Sequence, residues 1–381
     1  MADLIMDPAA WAEMEFGDCD LGDLRRTRRA VRFAAQVARN PGASTPGQAK
    51  EWKDLKAAYR LLDMDDVTFE ALAKPHWLRT RNPPRGTWLL LCGQTLIERA
   101  ADTASRKKKT TAGETTGFVL HSSLMVDRTG RNIAGLANQV IRRRDDSAAE
   151  FSASRPASPV AAWGQLIDDI GVPSAGRKLV YVFDQDGADF DTLCHLMRNK
   201  AGWVVRPPRA DRHILTRDGD TMTVRDFAKT LSPAGTCRAA VSGVRAEGVS
   251  KIPFEVRFGS AFIPRPKRCA EWIKSSGLPW IPVSLIHARE VKPAKGRKPV
   301  EWYLWTSETV ATLAASRRVL GWFTQWPWVD EFHRVLKEDC HLAQRRLRST
   351  DRLQAATGVF SVVAVRLLQM NRAATESSVS V

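Results

Sequence analysis

The stretch "WFTQWPWVDEFHRVLKEDC" (322–340) sets an acid, an imidazole and an amine in a row: Asp330, His333 and Lys337. Read as the opening of an amphipathic helix, it gathers Val329, Phe332, Val335 and Leu336 on one apolar face. The polar residues then line a second face, because their spacing spans almost two helical turns. Such a row is either a charged face turned to water or one wall of a site that handles phosphate. A second carboxylate-bearing stretch is "RKLVYVFDQDGAD" (177–189), which reads as a buried strand running out into Asp184 and the acids beyond it.

The surrounding elements have to position these groups. "TWLLLCGQ" (87–94) is an apolar run suited to a buried strand. "GFVLHSSLMVD" (117–127) and "RNIAGLANQV" (131–140) read as a hairpin around "RTG". A helix over 158–170 follows, then the Asp184 strand, the helix "DTLCHLMRNK" and the strand "GWVVRP" (202–207). Residues 210–300, rich in Thr, Val, Arg, Gly and Pro, read as a β-rich insertion. "EWYLWTSE" (301–308) is a further strand, and "GVFSVVAVRLLQM" (358–370) a final apolar helix with "NRAATESSVSV" as a frayed tail.

The first 80 residues read as helical. "LGDLRRTRRAVRFAAQVARN" carries Asp23 near its start and an apolar stripe through Leu24, Val31, Ala34, Ala35 and Val37. Arg25, Arg26, Arg28 and Arg29 give the same helix a cationic surface, either a solvated face or a contact for a DNA backbone. "PGASTPG" breaks the chain before "QAKEWKDLKAAYRLLD" resumes helical spacing. "SRKKKTT" (105–111) is a basic loop with the same choice of readings.

With 381 residues the chain is long enough for more than one domain. Its 58 Lys and Arg against 42 Asp and Glu leave a formal charge of +16, which favours a polyanionic partner. Charge alone separates neither DNA from RNA nor either from an acidic membrane surface. No uninterrupted apolar run approaches the roughly 18 residues of a bilayer span, and the acidic N-terminus lacks an export signal. The six cysteines are scattered without a CxxC pair, as expected of reduced thiols in the cytoplasm. Cys194-His195 and Cys340-His341 are adjacent pairs, but neither has a second pair at zinc-site spacing.

Taken together, "LGDLRRTRR", "AAYRLLD", "GFVLHSSLMVD", "VFDQDGAD", "EWYLWTSE", "DEFHRVLK" and "SVVAVRLLQM" resemble the DDE transposases of the insertion-sequence-four group, typified by the transposase of transposon Tn-five. The resemblance runs over nearly the whole chain. It implies an α/β fold: a helical DNA-binding domain over 1–80 and a ribonuclease-H-like core over 81–209 and 301–381, interrupted by the β-rich insertion 210–300. It also implies two-metal phosphoryl transfer on double-stranded DNA at transposon inverted-repeat ends, with Mg²⁺ or Mn²⁺ ions about 4 Å apart. A dimer on DNA in a cytoplasmic, nucleoid-associated setting would follow.

The departures are concentrated at the site. On the late helix the family places Tyr, Arg, Glu and Lys where this sequence has Phe323, Trp326, Asp330 and Lys337. Pro327 falls inside that motif and restricts helix before it. The first-strand Asp is replaced by Gln94, a neutral amide that supplies no charge to an ion. Asp184 stands at the family's second acid, and Asp330 replaces Glu with a side chain shorter by roughly 1.5 Å. Glu331 is about 100° around the helix and points elsewhere.

By the same resemblance Arg206, Trp302 and Lys337 would contact DNA, Trp302 by stacking on an unpaired base. Ordinary core packing is the other role open to Trp302 in a chain with 13 Trp. Family members continue past "VAVRLLQ" into a helical region that helps pair two subunits, whereas this sequence ends at Val381, so the expectation is against a paired, cleavage-competent assembly. Three functions stay open at this stage: a transposase-like DNA-binding protein with an impaired site, an active two-metal transposase or nuclease, and a general nucleic-acid-binding protein.

Overall fold

The fold comes from a computed structural model, which describes residues 6–49, 51–98, 117–143, 159–245, 248–345 and 347–379. The basic stretch 105–111 lies outside the described residues. Its strands are β1 (Gly86–Glu98), β2 (Gly117–Asp127), β3 (Ile133–Arg143), β4 (Arg177–Asp184), β5 (Gly202–Arg206), β6 (His213–Leu215), β7 (Thr221–Thr223), β8 (Gly235–Arg245), β9 (Gly248–Pro264), β10 (Trp280–Glu290) and β11 (Glu301–Thr306). All belong to one sheet in the order β3-β2-β1-β4-β5-β11-β10-β9-β6-β7, with β8 paired to β9. β1, β2 and β3 run antiparallel, whereas β4 and β5 lie parallel to β1. The strands of 210–300 thus continue the sheet that begins with β1–β5, and β11 is the joint, pairing with both β5 and β10.

The sheet centre is apolar on both faces, as parallel strands covered on both sides must be. Leu89, Leu91, Val180, Val182 and Val204 point to one face, while Leu90, Tyr181, Phe183, Trp203 and Val205 point to the other. Of the N-terminal helices α1 (Pro8–Phe16), α2 (Leu24–Arg39), α3 (Thr45–Gln48), α4 (Trp52–Leu61) and α5 (Phe69–Thr80), all but the short α3 contribute to the first core. The second face is covered by α6 (Pro159–Ile170), α7 (Phe190–Arg198), α8 (Val224–Thr230) and α9 (Glu271–Ser275). After β11 the chain forms α10 (Leu313–Phe323), α11 (Pro327–Arg334) and α12 (Thr350–Val379), all on the first face.

Three local expectations change here. The stretch 322–340 is not one helix: α10 ends at Phe323 and α11 starts with Pro327 at its first turn, where a missing N–H costs nothing. The helix then runs into a π-helical turn, Val335–Asp339. The final helix begins at Thr350, earlier than its apolar run, and continues through the stretch read as a frayed tail. It is anchored near that end by Arg372, which donates to the Arg131 carbonyl and lies over the Trp328 ring. This helix has a membrane-span length and hydropathy over Thr350–Ala374, but 78% of its apolar 18-residue window is buried within the protein, as in a core helix. Leu24, expected on the buried stripe of α2, is 73% exposed at the first helical position, beside the arginines.

Candidate functional site

The C-terminal ends of β4 and β5 lie beside Gln94, inside β1, and α11 packs on β1 there, so the acids converge at one place. β4 terminates at Asp184, whose parallel neighbour on β5 is Arg206. Arg206 donates through both Nε and Nη2 to the two oxygens of Asp184, with Nη2–Oδ2 at 2.7 Å. One residue on, Gln185 takes a left-handed conformation (φ 61°) and its N–H donates to the Arg206 carbonyl at 3.0 Å. That turn aims Asp186 back toward β1, where Gln94 Nε2 donates to its Oδ2 at 3.0 Å.

Helix α11 brings the third acid. It approaches β1 so closely that a Cβ on Gly93 would stand 2.9 Å from Val329 Cγ1. The indole of Trp326 donates to the Cys92 carbonyl at 2.8 Å, fixing the turn that precedes the helix. Val329, Phe332, Val335 and Leu336 are all fully buried, as the apolar spacing requires. Asp330 emerges on the other side, an exposed residue whose carboxyl still loses enough water to matter. That desolvation, with the negative charges of Asp184 and Asp186 adding to it, pushes Asp330 up to about 6. Asp186 is raised as well, by partial burial and by Asp184, against the Gln94 hydrogen bond.

His333 does not join Asp330 on a solvated face. It is buried against Gly93, hydrogen-bonded to Ser122 Oγ at 3.1 Å, and burial lowers it to about 3, so it is neutral. Lys337 is half-buried on the π-helical turn and acts electrostatically on His333. Glu331 points away from the acids, into an ion pair with Arg334 at 2.8 Å. Trp302 is buried, its ring stacked on Phe254 at 4.8 Å and met edge-on by Phe323 at 5.4 Å. In the adjacent Cys-His pairs both thiols are buried, while His195 bonds Asp168 and His341 bonds the Gly42 carbonyl.

Whether a pair of divalent ions fits this edge depends on its donors. Mg²⁺ and Mn²⁺ take oxygen ligands in a compact shell. Here both Asp184 oxygens accept from Arg206, and Gln94 presents its amide nitrogen to Asp186. Among the described residues no group of three His, Cys, Asp or Glu side chains has metal-ligand spacing. The residues present therefore do not fit a two-metal pair.

The basic face of α2 is built differently. Asp23 caps the helix by accepting from Arg25 N at 2.7 Å. Thr27, Ala30, Phe33, Ala34 and Val37 are buried, which turns Arg25, Arg28, Arg29, Arg32 and Arg39 outward. Among the described residues Arg25, Arg28, Arg29 and Arg39 have no ion-pair partner, whereas Arg26 is tied to Asp66 at 2.5 Å and to the Leu21 carbonyl. Arg28, Arg32 and Arg39 border an open groove of about 430 Å³ whose far wall carries Glu51, Lys53 and Asp54 around the start of α4. Arg39 extends the cationic surface beyond the four arginines read from sequence, whereas Arg32 and Lys53 are ion-paired with Asp54 and Glu51. For Arg32 and Arg39 the signal was the return of arginine at helical spacing along α2.

One further residue links the two places. Arg345 is 4% exposed and donates to the Pro41 and Ala43 carbonyls (3.0 and 3.2 Å), Thr45 Oγ1, Gln48 Oε1 and the Cys340 carbonyl. Its guanidinium also lies 3.9 Å from the Phe360 ring centroid. Desolvation lowers it to about 10, so it remains a cation. It joins the turn after α2 to the segment that follows the Asp330 helix, and no local pattern in the sequence marks it.

Residues 8–67 match the family model described as transposase DNA-binding, the segment that carries α1–α4 and the outward arginines. Among solved structures, the chain is similar to a piggyBac transposase in a cryo-EM synaptic complex with hairpin DNA. That likeness has 12% identity and a TM-score of 0.46, and covers 98% of this chain and 77% of that one. A transposase DNA-binding segment carrying an outward-facing basic helix, in a mixed α/β chain of net charge +16, makes this a transposase-like DNA-binding protein, with DNA as its partner.

Proposed function

We propose that the chain is a relative of the DDE transposases of the insertion-sequence-four group that binds double-stranded DNA and is impaired in two-metal catalysis. The observation that carries the binding half is the coincidence of the transposase DNA-binding match at 8–67 with exposed Arg25, Arg28 and Arg29 on α2, which have no ion-pair partner among the described residues. The order β3-β2-β1-β4-β5, with β4 and β5 parallel to β1, supports a ribonuclease-H-like core over 81–209 and 301–381. In this reading 1–80 is the DNA-end-binding domain and 210–300 an insertion whose strands extend the core sheet. Gln94, Asp184 and Asp330 stand at the acid positions of the family, and Mg²⁺ or Mn²⁺ would be the ions those positions serve in an active relative.

The preferred DNA is a transposon inverted-repeat end bound by a dimer, in the cytoplasm at the nucleoid. Of the DNA contacts suggested by resemblance, Lys337 is retained in this proposal. Arg206 is engaged by Asp184, and Trp302 is assigned to the core. Fluorescence anisotropy on duplexes taken from the ends flanking the gene tests the binding. The expected result is a steep salt dependence together with preference for those ends over unrelated duplex and RNA. Equal affinity for all of them would point to a general nucleic-acid-binding protein instead.

A further inference from the structure

We infer that Arg206 is a built-in counter-cation of the acid site, occupying Asp184 in place of a divalent ion so that the edge is held closed without metal. This rests on the impaired-transposase reading above and gives it a physical cause. A guanidinium bound through both nitrogens satisfies both carboxylate oxygens in one plane, the geometry in which the Arg–carboxylate pair is strongest. Arg206 cannot leave by losing its proton, as a lysine in the same place could.

Its position is set by the sheet rather than by a chance rotamer. Arg206 is the direct neighbour of Asp184 across the parallel β4–β5 pair. The Gln185 N–H to Arg206 carbonyl bond, 3.0 Å, zips that pair one residue further and holds both side chains at the same level. Asp184 is only 17% exposed and Arg206 30%, so the pair is shielded from competing water. The second acid is handled in the same manner. Gln94 turns an amide N–H toward Asp186, so two neighbouring carboxylates each accept from a donor of the protein itself. An entering Mn²⁺ would have to displace both donors and sit beside a fixed positive charge.

The test is direct binding of Mn²⁺, read from the free-ion electron paramagnetic resonance signal, with the full chain and no DNA. Wild type is expected to show no uptake that depends on Asp184. Arg206→Met, which keeps an apolar stem and removes the charge, is expected to gain a site at least about tenfold tighter than anything in wild type. That gain should vanish in Arg206→Met combined with Asp184→Asn. Wild-type uptake that Asp184→Asn abolishes would overturn the inference, and it needs no folded Arg206 variant. A folded Arg206→Met that gains no site would overturn it too, because the arginine would then not be what excludes the ion. Anisotropy of the wild type on the end duplex in EDTA judges the DNA-binding reading separately, since neither result there depends on Mn²⁺.

Discussion

The basic face of α2 and the acid edge of the sheet handle charge in opposite ways. On α2, Arg25, Arg28, Arg29 and Arg39 face water with no ion-pair partner among the described residues. At the acid edge two carboxylates are partnered within the fold, Asp184 by the Arg206 cation and Asp186 by the neutral Gln94 amide, and Asp330 is raised to about 6 beside them. Charge left without an internal partner attracts an external polyanion, and the displaced counterions make that attraction strong and salt-sensitive. Charge matched within the fold contributes to local order and leaves little for an ion or substrate. One molecule thus presents an open cationic surface and a closed acidic one.

Four variants would break or sharpen that contrast. The largest effect is expected from Trp302→Ala. A ring buried between Phe254 and Phe323 should take about 3–5 kcal/mol of stability with it. Chemical denaturation measures the loss, and the folded fraction should keep its DNA affinity. A loss of affinity at unchanged stability would restore Trp302 to the DNA surface. Next, Arg345→Ala should remove roughly 3 kcal/mol by stranding the carbonyls it satisfies. Limited proteolysis should then cut first near the turn at 41–48, where those partners lie.

The third variant, Arg25→Ala with Arg28→Ala and Arg29→Ala, addresses the open surface. Its plot of log affinity against log salt should flatten by about 2.7, since each lost phosphate contact removes about 0.9. Thermal stability should hardly change, because these side chains are exposed and have no ion-pair partner among the described residues. Smallest is Asp330→Asn. A carboxyl raised in the folded state binds its proton more tightly than the unfolded chain does, so stability falls as pH rises from the ordinary value near 4 to about 6. Removing the charge should therefore stabilise the protein above pH 6, by about 1 kcal/mol once solvent screening is allowed for. The gain should disappear below pH 4, which a pH series of melting curves measures.

Much of the central sheet was readable from local pattern. "TWLLLC" and "LVYVF" are continuous apolar runs because their strands are covered on both faces, and Asp184 marks where the second run meets solvent. The helix spacing of Val329, Phe332, Val335 and Leu336 foretold the face that packs on β1. What escaped depends on register and on contacts distant in sequence. Nothing local says that Arg206 will stand beside Asp184, because the parallel alignment of β4 and β5 decides it. Asp186 entered the site through the left-handed turn at Gln185, a conformation that Gln does not advertise. His333 looked like a charged neighbour of Asp330, yet Gly93 gave it a buried slot on β1. The strands of 210–300 were legible as strands, but their place in the same sheet follows from β11 bridging β5 and β10.

The most direct test of the central contrast is Mn²⁺-dependent nicking of a supercoiled plasmid carrying the DNA that flanks the gene, with wild type and Asp184→Ala side by side and binding measured on the same plasmid. An open basic surface over a closed acid edge predicts that wild type binds the plasmid and leaves it supercoiled, as Asp184→Ala does. Nicking by wild type that disappears in Asp184→Ala would contradict it, because Asp184 would then be serving an ion despite Arg206.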